Sequence, residues 1–181
     1  MYWRLLFLSV TLIGVAPVLA DDLSFKYIHD EYKKGNYDTV SRLSRKFLKS
    51  SDLNKDPRFL FLYAATESDW LALKGIMLST PNPSWKESPF YWNAIYLFME
   101  RALVLGEYDH LITFGKLFQK EGKSSARYLD ACFLFAYGLY EMKNFPEAKK
   151  QIEVIEKQNI PSKLQLQIVA LKQEMNQSVG E

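Results

Sequence analysis

Few side chains in this chain have the type and spacing to do chemistry. There are two histidines, His29 and His110, and neither has a Cys, Asp or Glu at metal-ligand spacing on its own helical stretch, so no metal site is expected. Asp109 and His110 are neighbours in sequence, and adjacent residues on a helix point in different directions; a solvated first turn accounts for them. The single cysteine, Cys132, shares a 0, 3, 4, 7 spacing with Phe135, Ala136 and Leu139, which places it on a packing face. A buried thiol keeps a raised pKa and is inert. No glycine-rich loop suited to phosphate is present, so neither a cofactor nor a metal is expected and the chain reads as non-catalytic.

The elements around these residues begin with an export signal over residues 1–20. Arg4 precedes an apolar run from Leu5 to Val15, and small residues in Ala16-Pro17-Val18-Leu19-Ala20 place a cut between Ala20 and Asp21. The run is shorter than the roughly 20 residues that cross a bilayer, although an uncleaved anchor is the alternative. The expected location is the periplasm, or secretion, with membrane contact only through a partner or an uncleaved signal. Setting Arg4 aside leaves 22 basic against 21 acidic residues, with no basic cluster that could neutralise a run of phosphates, so nucleic acid is not an expected partner. One cysteine cannot form an intramolecular disulfide, and the fold must rest on apolar packing.

Periodicity along residues 21–181 is helical almost throughout. Breaks at Ser50 to Pro57, Ser79 to Pro89, Glu121 to Ser125 and Asn159 to Ser162 give four blocks and a last helix. Shorter breaks split each block into a helical hairpin: Lys34 to Asn36, Glu67 to Asp69, Leu105 to Glu107, and Lys143 to Asn144. Gly35 and Gly106 suit the left-handed residue that ends a helix. The expected hairpins span about 23–49, 57–79, 90–120 and 125–159, with a capping helix over about 162–177. Aligning Tyr37, Trp70, Tyr108 and Phe145, at offsets of 33, 38 and 37 residues, superposes the blocks. First helices then present Ile95, Phe98, Met99, Ala102 and Cys132, Phe135, Ala136, Leu139 on one face. Second helices match Val40, Ser44, Phe47 with Leu111, Gly115, Phe118 and with Ala148, Ile152, Ile155. The capping helix carries Leu164, Ile168, Leu171 and Met175 on one stripe. The long Ser79 to Pro89 connection holds Trp85, read as an anchor to the solenoid. The fold class is all-α, an α-solenoid of about four hairpins.

The pattern resembles the tetratricopeptide repeat, a helical pair of about 34 residues with a Gly-Asn/Asp-Tyr type turn and small residues at the helix contacts. Block four fits best, through Ala136, Ala148, Phe145 and Pro161, while Ile28, Met99, Val40, Leu73 and Leu111 replace small residues elsewhere. The resemblance implies that first helices line a concave groove. A second stripe would face that groove: Phe25, His29 and Tyr32; Arg58, Leu62 and Ala65; Tyr96, Glu100 and Leu103; Phe133, Tyr137 and Tyr140. The basic and asparagine clamp that the family uses for a C-terminal carboxylate is not reproduced there.

The expected function is an exported scaffold or adaptor for a peptide segment or helix of another envelope protein. A structural subunit of an envelope assembly is the alternative. A weaker resemblance links Glu67-Ser68, Gly75-Ile76-Met77 and Pro81 to the lytic transglycosylases, which cleave peptidoglycan with one glutamic acid. It lacks the family's glycine-rich and glutamine positions, and Glu67 is expected in a turn open to water.

Overall fold

The computed structural model describes residues 16–50, 56–79 and 83–178. Residues 1–15, most of the expected signal, lie outside them. The described chain is all-helical: α1 (Ala16–Lys33), α2 (Tyr37–Lys49), α3 (Pro57–Thr66), α4 (Trp70–Ser79), α5 (Pro89–Val104), α6 (Tyr108–Glu121), α7 (Tyr128–Glu141), α8 (Phe145–Glu156) and α9 (Ser162–Ser178), with a short 3-10 helix at Pro83–Trp85. Helix α1 runs continuously through the Ala20–Asp21 bond.

Tyr37, Trp70, Tyr108 and Phe145, the residues that align the blocks, are each the first residue of a second helix. Three of the four turns share one geometry. Gly35 has φ 80°, Gly106 has φ 70°, and Lys143 fills the same place with φ 60°. At each turn the next residue donates five residues back: Asn36 N–H to the Glu31 carbonyl at 3.0 Å, Glu107 N–H to Ala102 at 2.8 Å, and Asn144 N–H to Leu139 at 2.9 Å. This satisfies helix-end carbonyls that would otherwise be orphaned. The second turn departs from the pattern. It has no left-handed residue; instead Glu67 is extended at φ −70°, ψ 121°, and Asp69 Oδ1 caps α4 by accepting from the Leu71 and Ala72 N–H groups at 2.8 and 3.3 Å.

First helices α1, α3, α5, α7 and α9 neighbour one another in one layer, and α2, α6 and α8 each pack against the first helix on either side. This stacking is a helical solenoid. Helix α4 is the exception, because it rests on α5 more than on its own partner α3, and α3 packs directly and extensively on α5. The core faces of α5, α7, α8 and α9 follow the expected spacing, whereas on α1 the expected face of Ser24, Tyr27, Ile28 and Glu31 buries only Ile28 and leaves Tyr27 56% exposed. Ile95, Phe98, Met99 and Ala102 are fully buried, as are Ala136 and Ala148, while Leu164, Ile168, Leu171 and Met175 bury one stripe of α9. Trp85 is also buried and stands edge-on to Tyr91, so the proline-rich connection is anchored to the solenoid.

Candidate functional site

The free face of the first-helix layer is built by local packing between successive helices. At its α1 end the Phe25 ring stacks on His29 at 5.5 Å and meets Phe59 edge-on at 5.9 Å. The Arg58 guanidinium lies 4.3 Å over Phe25, a cation–π contact that ties α3 to α1. Asp56 orients that arginine: its carboxylate accepts from the Arg58 backbone N–H at 2.8 Å and from Arg58 Nε at 2.6 Å, capping α3 in the process. Tyr32 is half-buried and leans on Tyr37 across the first turn at 5.7 Å.

Leu62 requires a correction. Expected on the groove-facing stripe, it is 0% exposed and belongs to the core. The reason is that α3 packs against α1, α2 and α5 together, so more than one of its stripes points inward. Ala65, three residues on, does reach the surface. It lines a cleft of about 300 Å3 between α3 and α5 with Ala64, Leu97, Glu100, Arg101 and Val104. Val104 is 83% exposed there. Arg101 donates to the Glu67 carbonyl, which fixes one wall of the cleft to the second turn.

Toward α7 the Tyr96 ring lies beneath the Arg127 guanidinium at 5.1 Å, and Arg127 pairs with Asp130 at 3.5 Å. Burial, followed by the Glu100 carboxylate beside it, pushes the Tyr96 hydroxyl well above the usual tyrosine pKa. On α7 itself a string of rings runs from Phe133 to Tyr137 at 6.4 Å, Tyr140 at 5.8 Å and Phe145 at 5.8 Å. All four are half-buried against the second core cluster. Tyr137 is pushed up to about 12, by burial first and then by Glu141 and Glu174. The expected stripe residues on α1, α5 and α7 are thus half-buried side chains that present edges, and the α3–α5 cleft is an open recess beside them. Its residues Leu97, Arg101 and Val104 escaped sequence reading, although with Glu100 they repeat at 0, 3, 4 and 7 and form a third stripe on α5.

The residues with chemical potential are held in structural roles. Glu67 is part-buried rather than open to water: Ser41 Oγ donates to its Oε2 at 2.7 Å and the Asp69 N–H to its Oε1 at 2.9 Å. Burial raises its pKa, but these donors and the adjacent Tyr63 outweigh burial and leave the carboxyl below its ordinary value. His110 stands 3.7 Å from the Glu107 carboxylate, which also accepts from Trp70 Nε1 at 3.0 Å and faces Lys74 Nζ at 3.7 Å. Cys132 is buried, and that burial lifts its thiol to about 11 despite the Tyr128 hydroxyl beside it. Among the described residues no group of three His, Cys, Asp or Glu side chains is placed to hold a metal ion. No described helix is long and apolar enough to cross a membrane. No known protein family, curated protein or solved structure matches this chain.

Proposed function

We propose that the chain is an exported, non-catalytic scaffold of the tetratricopeptide-repeat type, holding a peptide segment or helix of another envelope protein on the face of its first helices. The observation that carries this reading is the α3–α5 cleft, where small alanine side chains open a recess with apolar walls beside the Glu100 carboxylate and the Arg101 guanidinium. Such a mixture favours a bound segment, since apolar walls supply contact area and a placed charge supplies orientation. Export rests on Arg4, the Leu5 to Val15 run and the small residues before Asp21. Mature protein should begin at Asp21 by intact mass.

Ala65→Trp fills the cleft and tests the reading. Wild type and variant, both shown folded by circular dichroism, are used to capture partners from envelope extract. Proteins retained by wild type should be lost from the variant; identical retention would remove the cleft from the binding surface. Outer helices offer a second reading, a structural subunit of an envelope assembly, because Leu71 is 70% and Leu78 49% exposed on α4. Under that reading Leu71→Glu with Leu78→Glu, rather than Ala65→Trp, abolishes capture. The glycan-cleaving reading loses its support at Glu67, because a general acid needs a raised pKa and this carboxyl has a lowered one.

A further inference from the structure

The α1–α2 end of the solenoid carries a second surface of a different kind. Helix α2 places Arg42, Arg45, Lys46 and Lys49 at 0, 3, 4 and 7, one exposed stripe of four cations. No described carboxylate forms an ion pair with any of them. Nearby acids are committed elsewhere: Asp30 faces Lys33 at 3.8 Å, and Glu31 accepts from Lys34 at 2.8 Å and Asn36 Nδ2 at 2.6 Å. Only Asp38, in the first turn of α2, adds an unengaged negative charge on that helix. The near-neutral overall charge masks this local stripe.

Next to the stripe runs an apolar recess of about 330 Å3 between α1 and α2, lined by Ser24, Tyr27, Ile28, Leu43, Lys46 and Phe47 with Ser50 at its end. Leu43, Phe47 and Ser50 lie one residue along from Arg42, Lys46 and Lys49, so the two stripes are adjacent on α2 and Lys46 belongs to both. Tyr27 stands on the opposite rim, 56% exposed. An apolar trough with cations along one edge matches an amphipathic helix whose apolar stripe is flanked by Asp or Glu. Charge complementarity sets its orientation, because carboxylates on one flank reach the cations only when the apolar stripe faces the trough. A flat lipid surface fits less well, since it takes up protruding apolar side chains rather than filling a recess. The stripe spans only about 10 Å of helix, so its contact with a phosphate backbone would be short and would leave the trough empty.

We infer that the α1–α2 end of the solenoid is a docking site for an acidic amphipathic helix of a partner protein, separate from the first-helix face.

The test uses the full mature chain and a labelled synthetic helix of about sixteen residues, with leucines at helical spacing and glutamates on one flank. Three competitors accompany it: a scrambled peptide of equal composition, anionic phosphatidylglycerol vesicles and a short DNA duplex. Fluorescence anisotropy should give a Kd on the order of 10 μM for the helix and binding at least about tenfold weaker for the scrambled peptide. Arg42→Glu with Lys46→Glu should weaken the helix about tenfold, as should raising salt to about 0.5 M. Tyr27→Ala should weaken it about threefold, and Lys157→Glu with Lys163→Glu, an equal charge change at the other end, should leave it unchanged. Should the double reversal fail to fold, Lys46→Gln with Lys49→Gln serves in its place with a smaller loss in the same direction. Equal affinity for the scrambled peptide, unchanged affinity in the charge variants, tighter binding of vesicles or DNA, or no helix binding up to about 1 mM would each overturn the inference.

Discussion

Gly115 of α6 and Phe135 of α7 approach so closely that a Cβ added to the glycine would lie 2.6 Å from the Phe135 Cβ. The two helices interlock at this point, and the phenylalanine can retreat only by disturbing α7, because the nearest atom is at the root of its side chain. Gly115→Ala should therefore destabilise by about 1–3 kcal/mol, although alanine is the better helix former by about 1 kcal/mol. Gly75→Ala in α4 is the internal comparison. Nothing lies within 4 Å of a Cβ there, so the same substitution should stabilise by about 0.5–1 kcal/mol. Urea denaturation of both variants measures the contrast, and equal signs would mean that the α6–α7 contact is looser than described.

Lys143 occupies the left-handed place that glycine fills in two sister turns, at φ 60°. A residue with a Cβ costs roughly 1–2 kcal/mol in that conformation, partly offset by the greater freedom glycine loses on folding. Lys143→Gly should raise stability by about 0.5–1 kcal/mol. Gly106→Ala should lower it by about 1–2 kcal/mol, since it imposes the same strain on an unstrained turn. Thermal melts of the pair decide whether the three turns are equivalent.

Much of this architecture was legible because repetition supplies its own check. Aligning Tyr37, Tyr108 and Phe145 placed three turns and the burial of Phe98 and Phe135, and the spacing within α9 alone placed its inward stripe from Leu164 to Met175. What escaped was set by contacts between helices. Nothing local to Glu67, Ser68 and Asp69 reveals that this turn lacks a left-handed residue and lets α3 pack directly on α5, and for that reason the burial of Leu62 and the opening of the cleft at Ala65 went unread. The cations of α2 were visible in sequence, but only their helical register turns Arg42, Arg45, Lys46 and Lys49 from scattered charges into a stripe.

Glu67 links the first hairpin to the second turn through Ser41 Oγ and the Asp69 N–H, and both donors prefer the ionised carboxyl. Its folded pKa lies below the ordinary glutamate value of 4.5, so the unfolded chain takes up the proton first as acid is added. The stability it contributes is present in full above that value and is lost as pH falls through the folded pKa. Wild type should be more stable than Glu67→Gln at pH 7, and the gap in urea midpoint should begin to close as pH falls below about 4.5 and go on closing as the folded carboxyl titrates. A gap that widened on acidification would mean that burial dominates and the carboxyl is raised.

Cys132 sits in the second core cluster with its thiol lifted to about 11 by burial. Since the thiolate is the reactive species, the folded protein should resist iodoacetamide at pH 8 for hours and react within minutes in denaturant. Mass spectrometry after timed quenching reads both rates. Rapid labelling of the native protein would place the thiol at the surface.

Helix α4 should open first. Its packing is concentrated on α5, where Trp70 stacks on Phe98 at 4.9 Å, and its indole N–H reaches Glu107 in the α5–α6 turn at 3.0 Å, while α6 and α7 interlock with neighbours on both sides. Local opening follows contact density, so α4 amides should exchange with deuterium faster than those in the middle of α5, α6 and α7. Trp70→Phe keeps a ring over Phe98 but removes the donor, and should cost about 1 kcal/mol. Trp70→Ala removes both and should cost about 3 kcal/mol or more, with the added exchange confined to α4 if opening is local. Uniform acceleration across all helices in Trp70→Ala would instead show that α4 unfolds only with the whole solenoid, and that the direct α3–α5 contact cannot stand without it.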